Sequence, residues 1–311
     1  MYYIFYGIIY AFSLLPLRIL YVFSDFICFF LYYVMRYRRE VVMDNLTHAF
    51  PEKSEEEKTR IAKKFYRNFT DNFIEIVKMV SASDNYIKKH LIADCSILET
   101  LYESGKSCNL VLGHNFNWEW ANYSIGLQIK YQLLVVYMPI NSGVVDRLFR
   151  TIRQKGNAKL LSAHNMLRDF MPYRKSQYTL VLAADQNPGD PTSAYWLNFF
   201  GRPAPFVTGP EKGVRPQNLP VVFAVFKKIK RGYYTVNLEL MEDNPKALPE
   251  GELTRRFVRY LEQVISQDPD LWLWSHKRWK HTWQDSYMKL WVDTDPPALA
   301  SNSATEKAAP L

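Results

Sequence analysis

Between residues 52 and 80 the chain repeats large apolar side chains at steps of three and four: Ile61, Phe65, Phe69, Phe73, Ile76 and Met79. That spacing gathers an apolar stripe on one face of a helix, and the acids early in the run suit a helix N-terminus. The segment therefore predicts a long amphipathic helix that caps the domain. Downstream the period changes. Short apolar, β-branched runs at 109–113, 132–138, 179–184, 220–226 and 233–240 predict strands, and the stretches near 117–130, 142–155, 163–174 and 251–266 predict helices. Strands alternating with helices predict an α/β fold with one sheet covered on both faces. No internal repeat and no linker divides this region.

The N-terminal stretch has neither period. Residues 1–35 carry only two charged side chains, Arg18 and Asp25, and Arg36-Tyr37-Arg38-Arg39 follows directly. About 20 apolar residues suffice to cross a bilayer, so 1–39 reads as a membrane anchor. Pro16 and Arg18 divide it, which leaves two topologies open: a single tilted span, or a helical hairpin lying in one leaflet. A buried helix pair of a soluble protein is the competing reading. No basic segment precedes the apolar run and no small-residue cleavage site follows it, against a removed signal peptide. The basic cluster just after the anchor places the body of the protein on the cytoplasmic side. The expected organisation is an anchor at 1–39, one folded domain at 40–294 and a disordered Ala/Ser/Pro-rich tail at 295–311.

Composition narrows the chemistry. An apolar fraction of 48% with only 12 glycines describes a folded chain rather than a disordered or fibrous one. Cys28, Cys95 and Cys108 lie far apart with no second Cys or His at ligand spacing, so neither a disulfide framework nor a metal site is expected. The net charge of +8 is spread along the chain, which suits anionic lipid or phosphorylated substrates better than it marks a nucleic-acid binder.

The candidate chemistry sits at "VLGHNFNWEW", residues 111–120, where an apolar strand ends in a glycine and a histidine and a glutamate follows five positions later. On one straight helix His114 and Glu119 would point about 140° apart. With His114 in a loop and Glu119 in the first turn of a helix capped by Asn117, the carboxylate can fold back onto the imidazole. A carboxylate holding one ring nitrogen leaves the other free to take a proton from a hydroxyl. No GxSxG motif supplies a nucleophile, so the attacking hydroxyl would belong to the substrate. A helix-start histidine with a purely structural hydrogen bond is the alternative.

"GHNFNWEW" resembles the H-x4-D/E signature of glycerolipid-type acyltransferases, and is most similar to the bacterial lipid A late acyltransferases. Three later blocks extend the resemblance. "DRLFRTIRQKG", 146–156, supplies an arginine placed at Arg153, with Arg150 as the alternative. "LAADQNPGD…LNFFGRPAPFVTGPEKGVR", 182–215, supplies Asp185, Gly201, Thr208, Gly209 and Arg215. "DLWLWSHKRWK", 270–280, matches the family's C-terminal Trp-rich stretch. The resemblance implies a central mixed, mostly parallel sheet flanked by helices, in an enzyme of the bacterial inner membrane. It implies transfer of a fatty acyl chain from acyl carrier protein or coenzyme A to a hydroxyl of a lipid A precursor, with no cofactor beyond the thioester co-substrate. His114 would be the general base oriented by Glu119, while Arg153, Asp185 and Arg215 would contact substrate, the arginines suiting phosphates. Asn and Pro in "DQNPGDP" and the charged Glu211-Lys212 depart from the family pattern and leave the acceptor open to another glycolipid, a phospholipid or an aminolipid. The basic, aromatic stretch 271–283 admits a different class, a nucleic-acid-binding or non-catalytic membrane protein, although the apolar N-terminus favours lipid and no nucleic acid is expected.

Overall fold

A computed structural model describes residues 2–297; most of the expected tail, 298–311, lies outside the described residues. Two apolar helices, α1 (Tyr2–Ser13) and α2 (Leu17–Phe29, continued by a π-helical turn Phe30–Val34), form a hairpin that turns at Pro16. Next come α3 (Arg39–Ala49), α4 (Glu55–Lys78), α5 (Asp84–His90), β1 (Leu91–Ala93), α6 (Ser96–Glu103), β2 (Cys108–Leu112), α7 (Trp118–Gly126), β3 (Gln132–Tyr137), α8 (Gly143–Arg153) and β4 (Ala158–Ser162). The chain continues through α9 (Met166–Phe170), β5 (Tyr178–Ala183), the hairpin β6 (Tyr195–Phe199) and β7 (Arg202–Phe206), α10 (Gly209–Val214), β8 (Val221–Lys230), β9 (Tyr233–Glu242) and α11 (Glu252–Gln267).

The sheet runs β1-β9-β8-β2-β5-β3-β4, parallel at every junction except β8/β9. This is the expected mixed, mostly parallel sheet. Four strands escaped the sequence patterns. β1 has only three residues, and Lys159 stands exposed within β4. β6 and β7 form a separate two-stranded sheet, and the prolines at 203 and 205 argue against a strand on local grounds. The helix expected near 163–174 breaks into short turns around Pro172.

The sheet divides the apolar core in two. Val111 and Phe223 face α3, α4 and α11, while Leu110, Leu112, Ala224 and Phe226 face α5, α7 and α8, as period-two alternation requires. The capping helix is α4, which opens with a reciprocal Ser54–Glu57 capping box. The N-terminal hairpin docks along α4 through Leu20, Tyr21 and Ile74. Its other face leaves Val22, Phe23, Phe26, Phe29 and Phe30 exposed. By length and composition the 18-residue stretch Leu17–Val34 could cross a membrane. Its polarity is inverted relative to a soluble amphipathic helix: Ser24 points inward and the phenylalanines outward.

Candidate active site

β2 and β5 are hydrogen-bonded parallel neighbours, with Leu112 opposite Ala183. Two residues beyond each partner stand His114 and Asp185, so in-register pairing carries both to the same point above the carboxyl edge of the sheet. β5 lies between β2 and β3 although β3 comes first in the chain, and open α/β sheets place ligands where strand order switches in this way.

The contact is close and bidentate. His114 Nδ1 lies 2.6 Å from Asp185 Oδ1, and the His114 amide donates to Asp185 Oδ2 at 2.7 Å. Trp272 Nε1 donates to the same Oδ2 at 2.6 Å. Asp185 is fully buried, which alone would raise its pKa, but His114 and these hydrogen bonds outweigh burial and hold it below the ordinary aspartate range. Gly113 makes room for the turn: a Cβ there would lie 2.9 Å from Asn115 Oδ1 and 3.3 Å from Asp185 Oδ2.

The expected His114–Glu119 pair is therefore corrected. Asn117 caps α7 as anticipated, accepting from the Trp120 amide at 3.2 Å, and Glu119 sits in the first turn. Its carboxylate turns to α8 instead, where Arg153 Nε and Nη2 donate to Glu119 Oε1 at 2.8 and 2.6 Å. Trp118 Nε1 donates to the same oxygen at 3.2 Å. The physical reason is that Asp185 already occupies Nδ1 from a neighbouring strand, while a nearly buried Glu119 needs a cation, and Arg153 supplies one. Among the described residues no protein donor reaches Glu119 Oε2.

Two glycines bring α8 to this position. α7 ends at Gly126, where an added Cβ would fall 1.9 Å from the carbonyl oxygen of Gly156. Gly156 has φ +68° and presses against the Tyr123 carbonyl. That contact seats the end of α8, and Asn122 Nδ2 donates to the Arg153 carbonyl at 3.0 Å. Gly126→Ala is expected to cost about 3 kcal/mol through overpacking against backbone. It should also loosen the Glu119–Arg153 pair, which urea unfolding together with a structure of the variant would reveal.

His114, Trp118, Glu119 and Arg153 line one end of a cavity of about 240 Å³ between α7 and the sheet. The remaining walls are mostly apolar, built from Leu110, Leu133, Val135, Val181, Ala224 and Ile125 among others, with Asn122 and Tyr137 also lining them. His114 keeps a side-chain exposure of 24% there, with the Trp118 ring packed edge-on against it. With Nδ1 held by Asp185, Nε2 is the nitrogen left to take a proton from a bound hydroxyl. Among the described residues, no group of three or more His, Cys, Asp or Glu side chains stands placed to hold a metal ion.

Arg215 does not join this cavity. It reaches the Pro249 carbonyl at 3.1 Å and Glu211 at 3.5 Å. Glu211 is buried and accepts from the Gly251 and Thr254 amides, so the charged pair 211–212 that departs from the family pattern includes the carboxylate that caps α11. Within the Trp-rich stretch Trp272 and Trp274 are buried in the core rather than offered to lipid or nucleic acid, while Lys277 and Lys280 stay exposed. His276 accepts from the Asn187 amide through Nε2, and burial followed by the nearby Arg278 charge pushes its pKa down to about 4, as a neutral structural histidine requires. Arg278 is fully buried over the Phe206 ring and donates to Asn187 Oδ1 and the Pro205 carbonyl. Spacing within the sequence carried no signal for the Asp185–His114–Trp272 cluster, because its members come from three distant segments.

The chain is 26% identical over 247 residues to a lipid A biosynthesis acyltransferase of Haemophilus influenzae, an alignment covering 78% of each protein. Residues 1–281 match the family model described as bacterial lipid A biosynthesis acyltransferase. That span includes the hairpin, the whole sheet and every member of the His114 cluster, and the chain belongs to the bacterial lipid A biosynthesis acyltransferase family.

Proposed function

We propose that the protein moves a fatty acyl chain from a thioester donor to a hydroxyl of a lipid A precursor, with His114 as general base. The observation that carries this reading is the His114 ring, fixed through Nδ1 by buried Asp185, beside Glu119 and Arg153 in an otherwise largely apolar cavity. Nε2 accepts the proton of the acceptor hydroxyl while its oxygen attacks the thioester carbonyl. The tetrahedral intermediate then collapses, the C–S bond breaks, and the same proton passes to the departing thiolate. Asp185 holds the tautomer and stabilises the imidazolium formed midway. The apolar cavity suits the acyl chain. Glu119, with Oε1 held by Arg153, offers Oε2 to a donor on the acceptor. The amides of His114, Asn115, Phe116 and Trp120 are already engaged, which leaves those of Asn117, Trp118 and Glu119 as oxyanion donors at the start of α7.

The donor is acyl carrier protein or coenzyme A thioester, and neither demands a resident cofactor. The exposed apolar face of the N-terminal hairpin supports attachment to the inner membrane. Because Ser24 and Tyr21 are turned into the protein, the hairpin is read as lying in the cytoplasmic leaflet rather than spanning it. The test uses the full chain on vesicles containing a lipid A precursor, a phospholipid and an aminolipid, offered each thioester in turn and read by lipid mass spectrometry. One added acyl ester on the lipid A precursor is expected, lost in His114→Ala. Acylation of the phospholipid or aminolipid alone would overturn the acceptor assignment, and a fully active His114→Ala would overturn the chemistry.

A further inference from the structure

Two fully buried carboxylates, Asp71 and Glu75, stand one turn apart on the face of α4 that receives the N-terminal hairpin. Ser24 of α2 donates to Asp71 at 2.7 Å, and Arg231 bridges Asp71 to Asp25 of α2 at 2.6 and 2.7 Å. Asp71 thus has a cation. Glu75 has none among its hydrogen-bond partners: it is held by the Tyr21 hydroxyl of α2 at 2.6 Å, the Tyr234 hydroxyl of β9 at 2.8 Å and Asn117 Nδ2 at 2.6 Å. Burial pushes its pKa up to about 7 against these three donors. A carboxylate buried on neutral donors alone depends on every one of them.

The third donor matters most. Asn117 lies between His114 and Glu119 and caps α7 through its other side-chain atom, Oδ1. Trp120, in the first turn of α7, donates Nε1 to the Glu75 backbone carbonyl at 2.9 Å. One residue of α4 therefore holds the hairpin through Tyr21 and the start of α7 through Asn117 and Trp120.

We propose that Glu75 is a positioning residue that ties the seating of the N-terminal hairpin to the alignment of His114 and Glu119, which makes the hairpin part of the catalytic apparatus as well as an anchor. This rests on the acyl-transfer reading above. Glu75 touches neither substrate nor the reacting atoms; it acts through Asn117.

The test is steady-state acyl transfer by the full chain on vesicles. Glu75→Gln leaves one acceptor oxygen in place of two, so it either sets its NH2 against the NH2 of Asn117, which must then turn and withdraw its cap from α7, or turns that NH2 to the Tyr21 and Tyr234 hydroxyls and gives up the acceptor that holds the hairpin; either way the link between the two is broken. Adding Asn117→Asp to Glu75→Gln restores an acceptor facing the introduced amide and a good N-cap together. Tyr21→Phe removes the hairpin's donor without opening a cavity. Misplacement of a reacting group by a fraction of an ångström to an ångström predicts a fall in kcat of about 10- to 100-fold for Glu75→Gln, with KM for the thioester within about twofold. The double variant should recover at least about tenfold of that loss, and Tyr21→Phe should lower kcat about three- to tenfold with membrane recovery unchanged and Tm lower by only a few degrees, since one hydrogen bond to a buried carboxylate is lost. Glu75→Gln and Tyr21→Phe both within about twofold of wild-type kcat would overturn the proposal, as would a Glu75→Gln defect that Asn117→Asp leaves unrepaired. His114→Ala runs beside them: activity there would sink the underlying chemistry, whereas an inactive His114→Ala beside an unaffected Glu75→Gln sinks only the link.

Discussion

Asp185→Asn is expected to lower the rate of acyl transfer by about three to four orders of magnitude, the scale of losing the carboxylate that orients a catalytic histidine. An amide at this position can present its NH2 to Nδ1, which favours the tautomer with the proton on Nε2, the nitrogen that must accept one. The Trp272 indole and the His114 amide would still find the amide oxygen, so the fold should survive. Glu119→Gln separates the two carboxylates: if Glu119 were the orienting group, the larger loss would fall there, and single-turnover transfer by the two variants decides it. Asp185 also makes a pH signature. Its pKa is depressed in the folded state, so its contribution to stability is present above the unfolded value near 4 and is lost as the pH falls through the depressed value. That part of the stability difference between wild type and Asp185→Asn should shrink in acid below about pH 4.

Arg153→Ala is expected to cost about 3 kcal/mol of stability, because it leaves the nearly buried Glu119 without its cation. An arginine that served only to bind an acceptor phosphate would cost little in the free protein and would show itself in KM. Urea unfolding of Arg153→Ala, Glu119→Leu and the double variant makes the distinction. A coupling energy near zero would show that the ion pair contributes no stability, and a double variant more stable than Arg153→Ala would confirm that the stranded carboxylate is the source of the cost.

The two carboxylates also mark where sequence reading succeeds and where it stops. Glu119 lies in the same short segment as His114, and the spacing correctly placed one in a loop and the other in the first turn of a helix, because helix geometry is local. It could not say which partner each would choose. Asp185 was visible as a residue just past a strand, yet nothing local joined it to His114, 71 positions away. Arg153 was recognisable through the family resemblance, but its direct partner was not. Trp272 read as an interfacial aromatic and proved to be a buried donor to Asp185.

What the sequence determined by itself was periodic or compositional: the long α4 stripe, the five main strands, the α/β class and the apolar N-terminal stretch followed by arginines. Each follows from side-chain spacing along one element, which the chain carries wherever that element ends up. The tertiary structure decided strand order and register. Only when β5 lies beside β2, with Ala183 opposite Leu112, do His114 and Asp185 meet. Only when Gly126 meets Gly156 does Arg153 reach Glu119. The inverted polarity of α2 was equally invisible in advance, since Tyr21 and Ser24 are ordinary members of an apolar run until α4 places Glu75 and Asp71 beneath them. A buried carboxylate selects its partners by proximity and desolvation, and both are properties of packing between elements that no single stretch of chain contains.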